Sequence, residues 1–209
     1  MNFQGKKILI TGAAGFIGSN IADRLLQLGA EVIGIDNFYN GRRDNLELAL
    51  EKENFVFHRG DVRDLNFLLD QSTNVDIIYH EAAFTSVPQS VRMPQSCNDV
   101  NVNGMLNVLN AARKNDVEKV IFATSSSVYG DLPGLPKKEE DKRKPISPYG
   151  TSKLTCESYM EVYNHVYGLD TTSLRYFNVF GPRQRDSPYS GVIAIWLGCI
   201  IRDEDLVIF

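Results

Sequence analysis

Short apolar runs, rich in β-branched residues, alternate along the chain with segments whose apolar positions recur at helical spacing. The runs predict six strands, at residues 7–11, 31–36, 55–59, 76–80, 119–124 and 171–177. The other segments predict helices at 16–28, within 43–52, near 64–69, within 94–115, at 148–167 and from 191 onward. Strands that alternate with helices in this way are typical of βαβ units, in which a parallel sheet is buried on both faces.

The pattern therefore predicts an α/β fold, a doubly wound parallel sheet with helices on both faces, over residues 1–177. Residues 131–145 contain three prolines and a run of charges, and we expect them to form a solvated surface loop. Residues 178–209 are expected to begin a small C-terminal domain. Because the chain ends within an apolar run at 206–209, we expect it to be a fragment of a longer protein.

Composition narrows the class of protein. The 209 residues include 22 basic and 26 acidic side chains, a net charge of −4, which argues against nucleic acid as a partner. Cys97, Cys156 and Cys199 form no paired motif, so neither a disulfide framework nor a metal site is indicated, and the usage is typical of the reducing cytoplasm. The first strand leaves no room for a signal peptide, and no apolar stretch reaches membrane-spanning length. We expect a soluble cytoplasmic protein that does not bind membranes.

A glycine-rich turn joins the first strand to the first helix. Gly12, Gly15 and Gly18 follow the spacing GxxGxxG, and Asp36 ends the next strand. Such a turn lets a pyrophosphate approach the backbone and the helix N-terminus, as in the Rossmann fold, and the carboxylate accepts hydrogen bonds from the adenosine ribose. The same carboxylate repels a 2′-phosphate, which favours NAD over NADP, although Arg42 and Arg43 nearby weaken that preference.

Two further strand ends fit a dinucleotide site. Asp61 and Val62 follow the third strand, where the carboxylate could accept a hydrogen bond from the adenine amine. Ala82 and Ala83 follow the fourth strand and are small enough for a coenzyme to pass close to the backbone. His80, by contrast, is interpreted as a core histidine with its hydrogen bonds satisfied.

Tyr149 and Lys153 are the candidate catalytic pair. At positions i and i+4 they share one helix face, so the ammonium favours the ionised phenol. Ser147 is a good N-cap and Pro148 a good first residue, which puts Tyr149 in the opening turn, where the helix dipole also favours a phenolate. These effects predict a general base.

A run of hydroxyl side chains ends the fifth strand. Ligands of open α/β sheets bind beyond the carboxyl ends of the strands, so these side chains are expected to face the coenzyme. We assign Ser125 to catalysis, as a hydrogen-bond donor to the substrate oxygen. Ser126 and Ser127 are assigned to substrate binding.

With these residues, nearly the whole chain resembles the extended short-chain dehydrogenase/reductase family and, within it, the nucleotide-sugar 4-epimerases. The motifs are TGAAGFIG at 11–18, DN at 36–37, DV at 61–62, SSSVYG at 125–130, SPY at 147–149, LRYFN at 174–178 and FGPRQ at 180–184. The resemblance implies tightly held NAD and a UDP-hexose substrate. It implies coenzyme contacts from Gly12, Gly15, Phe16, Ile17, Asp36, Asn37, Asp61, Val62, Ala82, Ala83, Asn101, Tyr149, Lys153 and Tyr176. It adds substrate contacts from Ser86, Val87 and Asn178.

One departure from related enzymes restricts the chemistry. Sugar 4,6-dehydratases of this fold carry an Asp-Glu pair after the catalytic Ser or Thr, whereas Ser126 and Ser127 stand here. The resemblance then implies 4-epimerisation: Tyr149, assisted by Ser125, removes the C4 hydroxyl proton while hydride passes to NAD, and the 4-keto sugar turns over before hydride returns. Lys153 holds the nicotinamide ribose.

Several alternatives remain open. The substrate is UDP-glucose/UDP-galactose or the N-acetyl forms, and UDP-glucuronate 4-epimerase or a nucleotide-sugar reductase are further interpretations. A non-catalytic NAD-binding module is disfavoured because such proteins usually lose the Tyr or the Lys. By analogy with the family, we expect a homodimer through a four-helix interface formed by the helices at 94–115 and 148–167.

Overall fold

A computed structural model describes residues 2–184 and 192–206, and six strands alternate with helices along these residues. The strands are β1 (Lys7–Thr11), β2 (Glu31–Asp36), β3 (Phe55–Arg59), β4 (Ile77–His80), β5 (Lys119–Ser125) and β6 (Asp170–Tyr176). The helices are α1 (Phe16–Gln27), α2 (Glu47–Leu50), α3 (Leu65–Gln71), α4 (Val87–Arg92), α5 (Pro94–Asn98), α6 (Gly104–Lys114), α7 (Pro148–Tyr167) and α8 (Val192–Arg202).

The strands form one parallel sheet in the order β3-β2-β1-β4-β5-β6. Ile8 and Ile10 of β1 belong to the core between the sheet and α1, whereas Leu9 belongs to the core against α6 and α7. Successive side chains of a strand point to opposite faces, so β1 is apolar at every central position because both of its faces are buried. The predicted doubly wound fold is confirmed.

The strand order fixes where a ligand can bind. The chain runs outward from β1 to β3 and then crosses back to β4 on the other side of β1. A crevice opens between two neighbouring strands whose connections leave in opposite directions, here β1 and β4. The carboxyl ends of these strands, at Thr11 and His80, therefore mark the expected position of the site.

Two predicted helices differ in detail from the structure, and one helix was not predicted. The segment at 43–52 is a 3₁₀ turn (Arg43–Leu46) followed by the short α2, and α4 had no counterpart in the sequence prediction. The long helix predicted within 94–115 is divided by a π-helical turn at Asp99–Asn103. A π-helical turn adds one residue to the helix and shifts the apolar spacing by a single position, which is a weak signal in a sequence pattern.

Residues that follow β6 lie against α1. Arg183 forms an ion pair with Asp23, and Asn20 donates a hydrogen bond to the Pro182 carbonyl at 3.1 Å. Further on, α8 leaves Ile201 83% exposed. The domain boundary at 177/178 stays a prediction, and residues 207–209 of the predicted apolar run lie outside the described residues. Within 2–184 and 192–206, no helix is long and apolar enough to cross a membrane.

Candidate active site

The glycine turn after β1 brings two backbone segments unusually close. Gly12 has a φ of +73°, and a Cβ there would lie 2.7 Å from the Ala82 nitrogen and 2.9 Å from its Cα. The Gly15 N–H donates to the Gly12 carbonyl at 3.0 Å, and α1 starts directly afterwards. The first N–H groups of a helix have no intrahelical acceptor, so this turn is a site where a pyrophosphate fits.

Asp36 is fixed beside that turn. Its carboxylate accepts hydrogen bonds from the backbone N–H of Ala14 at 3.0 Å and of Phe38 at 2.7 Å. Burial raises the pKa of this carboxyl above its ordinary value, and the two N–H donors oppose that rise. One of the two arginines that could receive a 2′-phosphate, Arg42, pairs with Asp44 at 3.3 Å instead. Asp36 therefore presents oriented oxygen atoms to the crevice, as recognition of a ribose diol requires.

Most of the predicted coenzyme residues line one cavity at the carboxyl edge of β1, β2, β3 and β4. Those residues are Gly12, Gly15, Asp36, Asn37, Asp61, Val62, Ala82 and Ala83. Sequence reasoning missed further lining residues, among them Tyr39, Arg63, Glu81, Phe84, Thr85, Met93, Ser96 and Val100. Several of these follow β2, β3 or β4 within a few residues, so their position after a strand end was a usable signal.

The Asp61 carboxylate is already engaged in an ion pair. Arg63 Nη2 lies 2.8 Å from Asp61 Oδ2, and Asn37 donates to the same oxygen at 2.9 Å. Arg63 also reaches Asp99 at 3.2 Å. Hydrogen bonding from Arg63 holds the pKa of Asp61 well below its usual range. An adenine amine would therefore share a carboxylate whose position is fixed by neighbouring side chains.

Two buried side chains stabilise the backbone that borders the cavity. His80 Nδ1 and Thr11 Oγ1 are 2.7 Å apart, and burial lowers the pKa of His80 to about 3, so the ring is neutral; its interpretation as a satisfied core histidine is confirmed. Asn101, in the π turn, accepts from Phe84 N–H at 2.7 Å and donates to Ser152 Oγ at 2.9 Å. Its predicted contact with the coenzyme stays a prediction.

Helix α7 begins at the same edge of the sheet. Ser147 caps it by accepting from Gly150 N–H at 3.0 Å, and the Tyr149 N–H donates to Ser90 Oγ at 3.1 Å. A Cβ on Gly150 would lie 2.8 Å from the Ser127 carbonyl oxygen. The glycine therefore allows the first turn of α7, with Tyr149 in it, to pack closely on the turn that follows β5.

Lys153 is buried one helical turn further on. Its side chain is 3% exposed, and Nζ donates to the Ala123 carbonyl at 2.7 Å. The ammonium lies 4.6 Å from the centroid of the Phe122 ring and 5.9 Å from that of the Tyr149 ring. The predicted pair is thus brought together, with a positive charge that is shielded from solvent beside the phenol.

The serines that end β5 form a compact turn, Ser126–Tyr129. Ser127 Oγ donates to Ser125 Oγ at 2.8 Å, and the Ser127 N–H donates to the same oxygen at 3.2 Å. Ser125 is therefore hydrogen-bonded through its hydroxyl oxygen, with its own hydroxyl proton left to donate. Ser126 lies in the same turn.

The remaining predicted residues do not line the cavity beside the glycine turn. Ser86 caps α4, whereas Val87 and Asn178 are exposed. The side chains of Phe16 and Ile17 line a separate apolar groove next to Phe180, so a coenzyme contact from them would involve the backbone at the start of α1.

Glu81 and Tyr176 meet at the carboxyl edge, on either side of β5. The Tyr176 hydroxyl donates to Glu81 Oε1 at 3.5 Å. Burial raises the pKa of Glu81 to about 7, while Lys153 and the Tyr176 hydroxyl act in the opposite direction. An acidic side chain in this position was not predicted from the sequence.

The comparisons with known proteins agree with this geometry. A family model described as NAD dependent epimerase/dehydratase family matches residues 8–209. The chain belongs to this family. A putative UDP-glucose 4-epimerase of Methanocaldococcus jannaschii is 39% identical over 206 residues, which is 97% of this chain and 65% of the relative.

Solved structures of other members have the same fold. The UDP-N-acetylglucosamine 4-epimerase of Methanobrevibacter ruminantium, in complex with UDP-N-acetylmuramic acid, superposes with a TM-score of 0.92 at 40% identity, over 99% of this chain and 66% of that one. The Thermus thermophilus UDP-glucose 4-epimerase, in complex with NAD, superposes with a TM-score of 0.85 at 38% identity, over 95% of this chain and 63% of that one.

This member of the epimerase/dehydratase family spans about two thirds of the length of the curated relative that it matches. The matched part includes the glycine turn, Asp36 and the Tyr149–Lys153 pair, since the family model covers residues 8–209. The coenzyme of the family is NAD, and the cavity beside the glycine turn has the donors and the carboxylate that such a dinucleotide requires.

Proposed function

We propose that this protein is an NAD-dependent 4-epimerase of a UDP-hexose, either UDP-glucose/UDP-galactose or the N-acetyl forms, that works through a transient 4-keto sugar with Tyr149 as the base. One observation carries the proposal. Helix α7 brings Tyr149 and the buried Lys153 ammonium against the serine turn at the end of β5, at the same sheet edge as the dinucleotide cavity. The named relatives, UDP-sugar 4-epimerases, support the choice of substrate class.

The chain's own residues would hold the coenzyme in an extended form. Gly12 and Gly15 would receive the pyrophosphate, Asp36 the adenosine ribose, and Ala82 and Ala83 would let the coenzyme pass close to β4. When bound, NAD supplies an acceptor and donor of hydride for the sugar carbon. Because the acceptor is regenerated in each cycle, the net reaction is redox-neutral.

Proton transfer is assigned to the chain itself. Tyr149 Oη takes the proton of the C4 hydroxyl and later returns it, and Ser125 Oγ donates a hydrogen bond to the same sugar oxygen. Lys153 stabilises the phenolate by its positive charge and orients the nicotinamide ribose. A positioned base of this kind contributes about 10²- to 10⁴-fold to a rate.

Substrate contacts are proposed for Ser86, Val87, Ser126, Ser127 and Asn178. Ser126 and Ser127 carry no carboxyl group, and elimination of water from C5 and C6 needs an acid and a base, so these positions favour chemistry confined to C4. A UDP-glucuronate 4-epimerase shares this site chemistry and is the second candidate function. A net reductase would consume added NADH, which an epimerase does not.

We also propose a homodimer and a cytoplasmic location. The outer face of α7 leaves Val162 48% and Val166 59% exposed, as an intersubunit helix face requires. The three cysteines are unpaired, which suits a reducing compartment. Sedimentation of the wild type and of Val166→Asp tests the interface, since the charge would convert a dimer to monomers.

The experiment for the function has two stages. Native mass measurement first tests for bound NAD. The longest form of the protein that its gene encodes is then incubated with UDP-galactose and with UDP-N-acetylgalactosamine, without added NAD(H). Inversion of either sugar is the expected result. If the loaded protein inverts neither, the proposal for these two substrates is wrong, and incubation with UDP-glucuronate tests the second candidate.

A further inference from the structure

Glu81 is an acid at the catalytic edge of the sheet that the proposed mechanism does not use. It directly follows β4, and its N–H donates to the Thr11 carbonyl at 3.1 Å, so its backbone is fixed beside the end of β1. Its side chain lines the same cavity as Gly12 and Ala82. Oε1 accepts the hydrogen bond from Tyr176, two strands away.

The groups that face Glu81 from its neighbouring elements are of three kinds. Lys153, from α7, is the positive charge that acts on it. Tyr176 of β6 and Tyr79 of β4 are phenols whose pKa is raised above the ordinary value by burial and then by Glu81, so both stay neutral. His80, the residue before Glu81, is neutral as well. Burial raises the pKa of Glu81 to about 7, so its carboxyl changes charge near neutral pH.

We propose that Glu81 makes the site favour the oxidised over the reduced coenzyme, and that it does so only while its carboxyl is ionised. The inference rests on the proposed function, in which Lys153, the positive charge that acts on Glu81, orients the nicotinamide ribose. The nicotinamide ring is cationic in NAD⁺ and neutral in NADH. A nearby carboxylate stabilises the cation by its negative charge, whereas the Lys153 ammonium destabilises it. Lys153 stabilises the Tyr149 phenolate but disfavours the cationic nicotinamide. The Glu81 carboxylate offsets this second effect and so keeps the resting coenzyme oxidised.

The test measures binding and does not depend on turnover. Dissociation constants for NADH, by fluorescence, and for NAD⁺, by competition, are determined on the nucleotide-stripped protein from pH 5.5 to 8.5. The ratio of the NADH constant to the NAD⁺ constant should rise about tenfold across this range, which corresponds to about 1.4 kcal/mol of charge interaction. The midpoint should lie near the pKa of Glu81, about 7.

The variant Glu81→Gln should show a ratio that does not depend on pH and equals the wild-type ratio at pH 5.5. Glu53→Gln makes the same chemical change at the amino edge of the sheet, before β3, and should follow the wild type. Glu81→Asp keeps the charge and should keep the pH dependence. If Glu81→Gln fails to fold, the wild-type and Glu81→Asp curves still carry the test.

Two results would overturn the inference: a wild-type ratio that stays constant from pH 5.5 to 8.5, or a Glu81→Gln ratio that still rises. In either case both coenzyme forms bind, so the proposed function stands. Failure of both forms to bind at every pH contradicts the proposed function itself, and the inference with it.

Discussion

Replacement of Gly12 by alanine tests how closely the glycine turn and the strand end after β4 must approach. The residue has a φ of +73°, and the added Cβ would lie 2.7 Å from the backbone nitrogen of Ala82. Cβ atoms essentially never approach another heavy atom within 3.0 Å, so one of the two segments must move. Both are main chain, which cannot turn aside as a flexible side chain would.

The expected loss of stability in Gly12→Ala has two parts. The left-handed backbone costs an alanine about 1 kcal/mol relative to glycine. The forced movement of packed backbone adds about 1–3 kcal/mol, the usual cost of overfilling a core site. We therefore expect Gly12→Ala to lower the free energy of unfolding by about 2–4 kcal/mol.

Gly5 offers a matched control. Its φ is +71°, but a Cβ there would meet nothing within 4 Å, so Gly5→Ala should lose only the backbone part, about 1 kcal/mol. Urea unfolding of both variants measures the difference. Binding of NADH should weaken in Gly12→Ala and stay unchanged in Gly5→Ala. Equal stability of the two variants would refute the close approach as the reason for a glycine at position 12.

Three further predictions concern buried charge. The pKa of His80 is lowered to about 3, so raising the pH from 5 to 7 should stabilise the fold through this residue by about 2 kcal/mol. The pKa of Glu81 is raised to about 7, so the same change of pH should destabilise the fold through Glu81 by about 2 kcal/mol. The free energy of unfolding of the wild type, measured with urea, should then change little from pH 5 to 7, while that of His80→Gln falls and that of Glu81→Gln rises. The same dependence on pH in all three proteins would contradict this. Glu157 accepts a hydrogen bond from Thr124 at 2.8 Å and forms an ion pair with Arg175 at 2.9 Å. Glu157→Gln should therefore lower the free energy of unfolding, measured by heat or urea, by about 2–4 kcal/mol. The exposed Glu161→Gln should lower it by about 0.5 kcal/mol or less. Asp36→Ala should reduce the preference for NAD over NADP about tenfold in binding measurements, and an unchanged preference would exclude this carboxylate as its source.

Much of the fold could be predicted because each strand is a short apolar run that ends in glycine or in polar residues. β1 and β2 agree with the prediction at both ends, as does α7, which Ser147 caps and which ends before Gly168 in the left-handed conformation. The helix α4 was missed because Val87–Arg92 is short and mostly exposed, so it has little apolar periodicity.

The candidate site was predictable where a residue type has one strong physical use at a strand or helix end. Gly12, Asp36 and the Tyr149–Lys153 spacing are of this kind. The position of Glu81 after β4 was a usable signal for cavity lining, but its electrostatic role could not be predicted, because an acid after a strand is ordinary in a sequence. Its significance comes from Tyr176 and Lys153, which reach it from β6 and α7, and only the folded chain shows these contacts.

The role of Tyr149 is tested most directly by Tyr149→Phe in the NAD-loaded protein. The substitution removes one oxygen from a residue whose backbone is held in the first turn of α7, so NADH should bind within about twofold of the wild type while interconversion of the UDP-hexose slows by about 10²- to 10⁴-fold. Ser158→Ala, on the exposed face of the same helix, should change neither quantity. A Tyr149→Phe protein that inverts its substrate at the wild-type rate would contradict the assignment of the base.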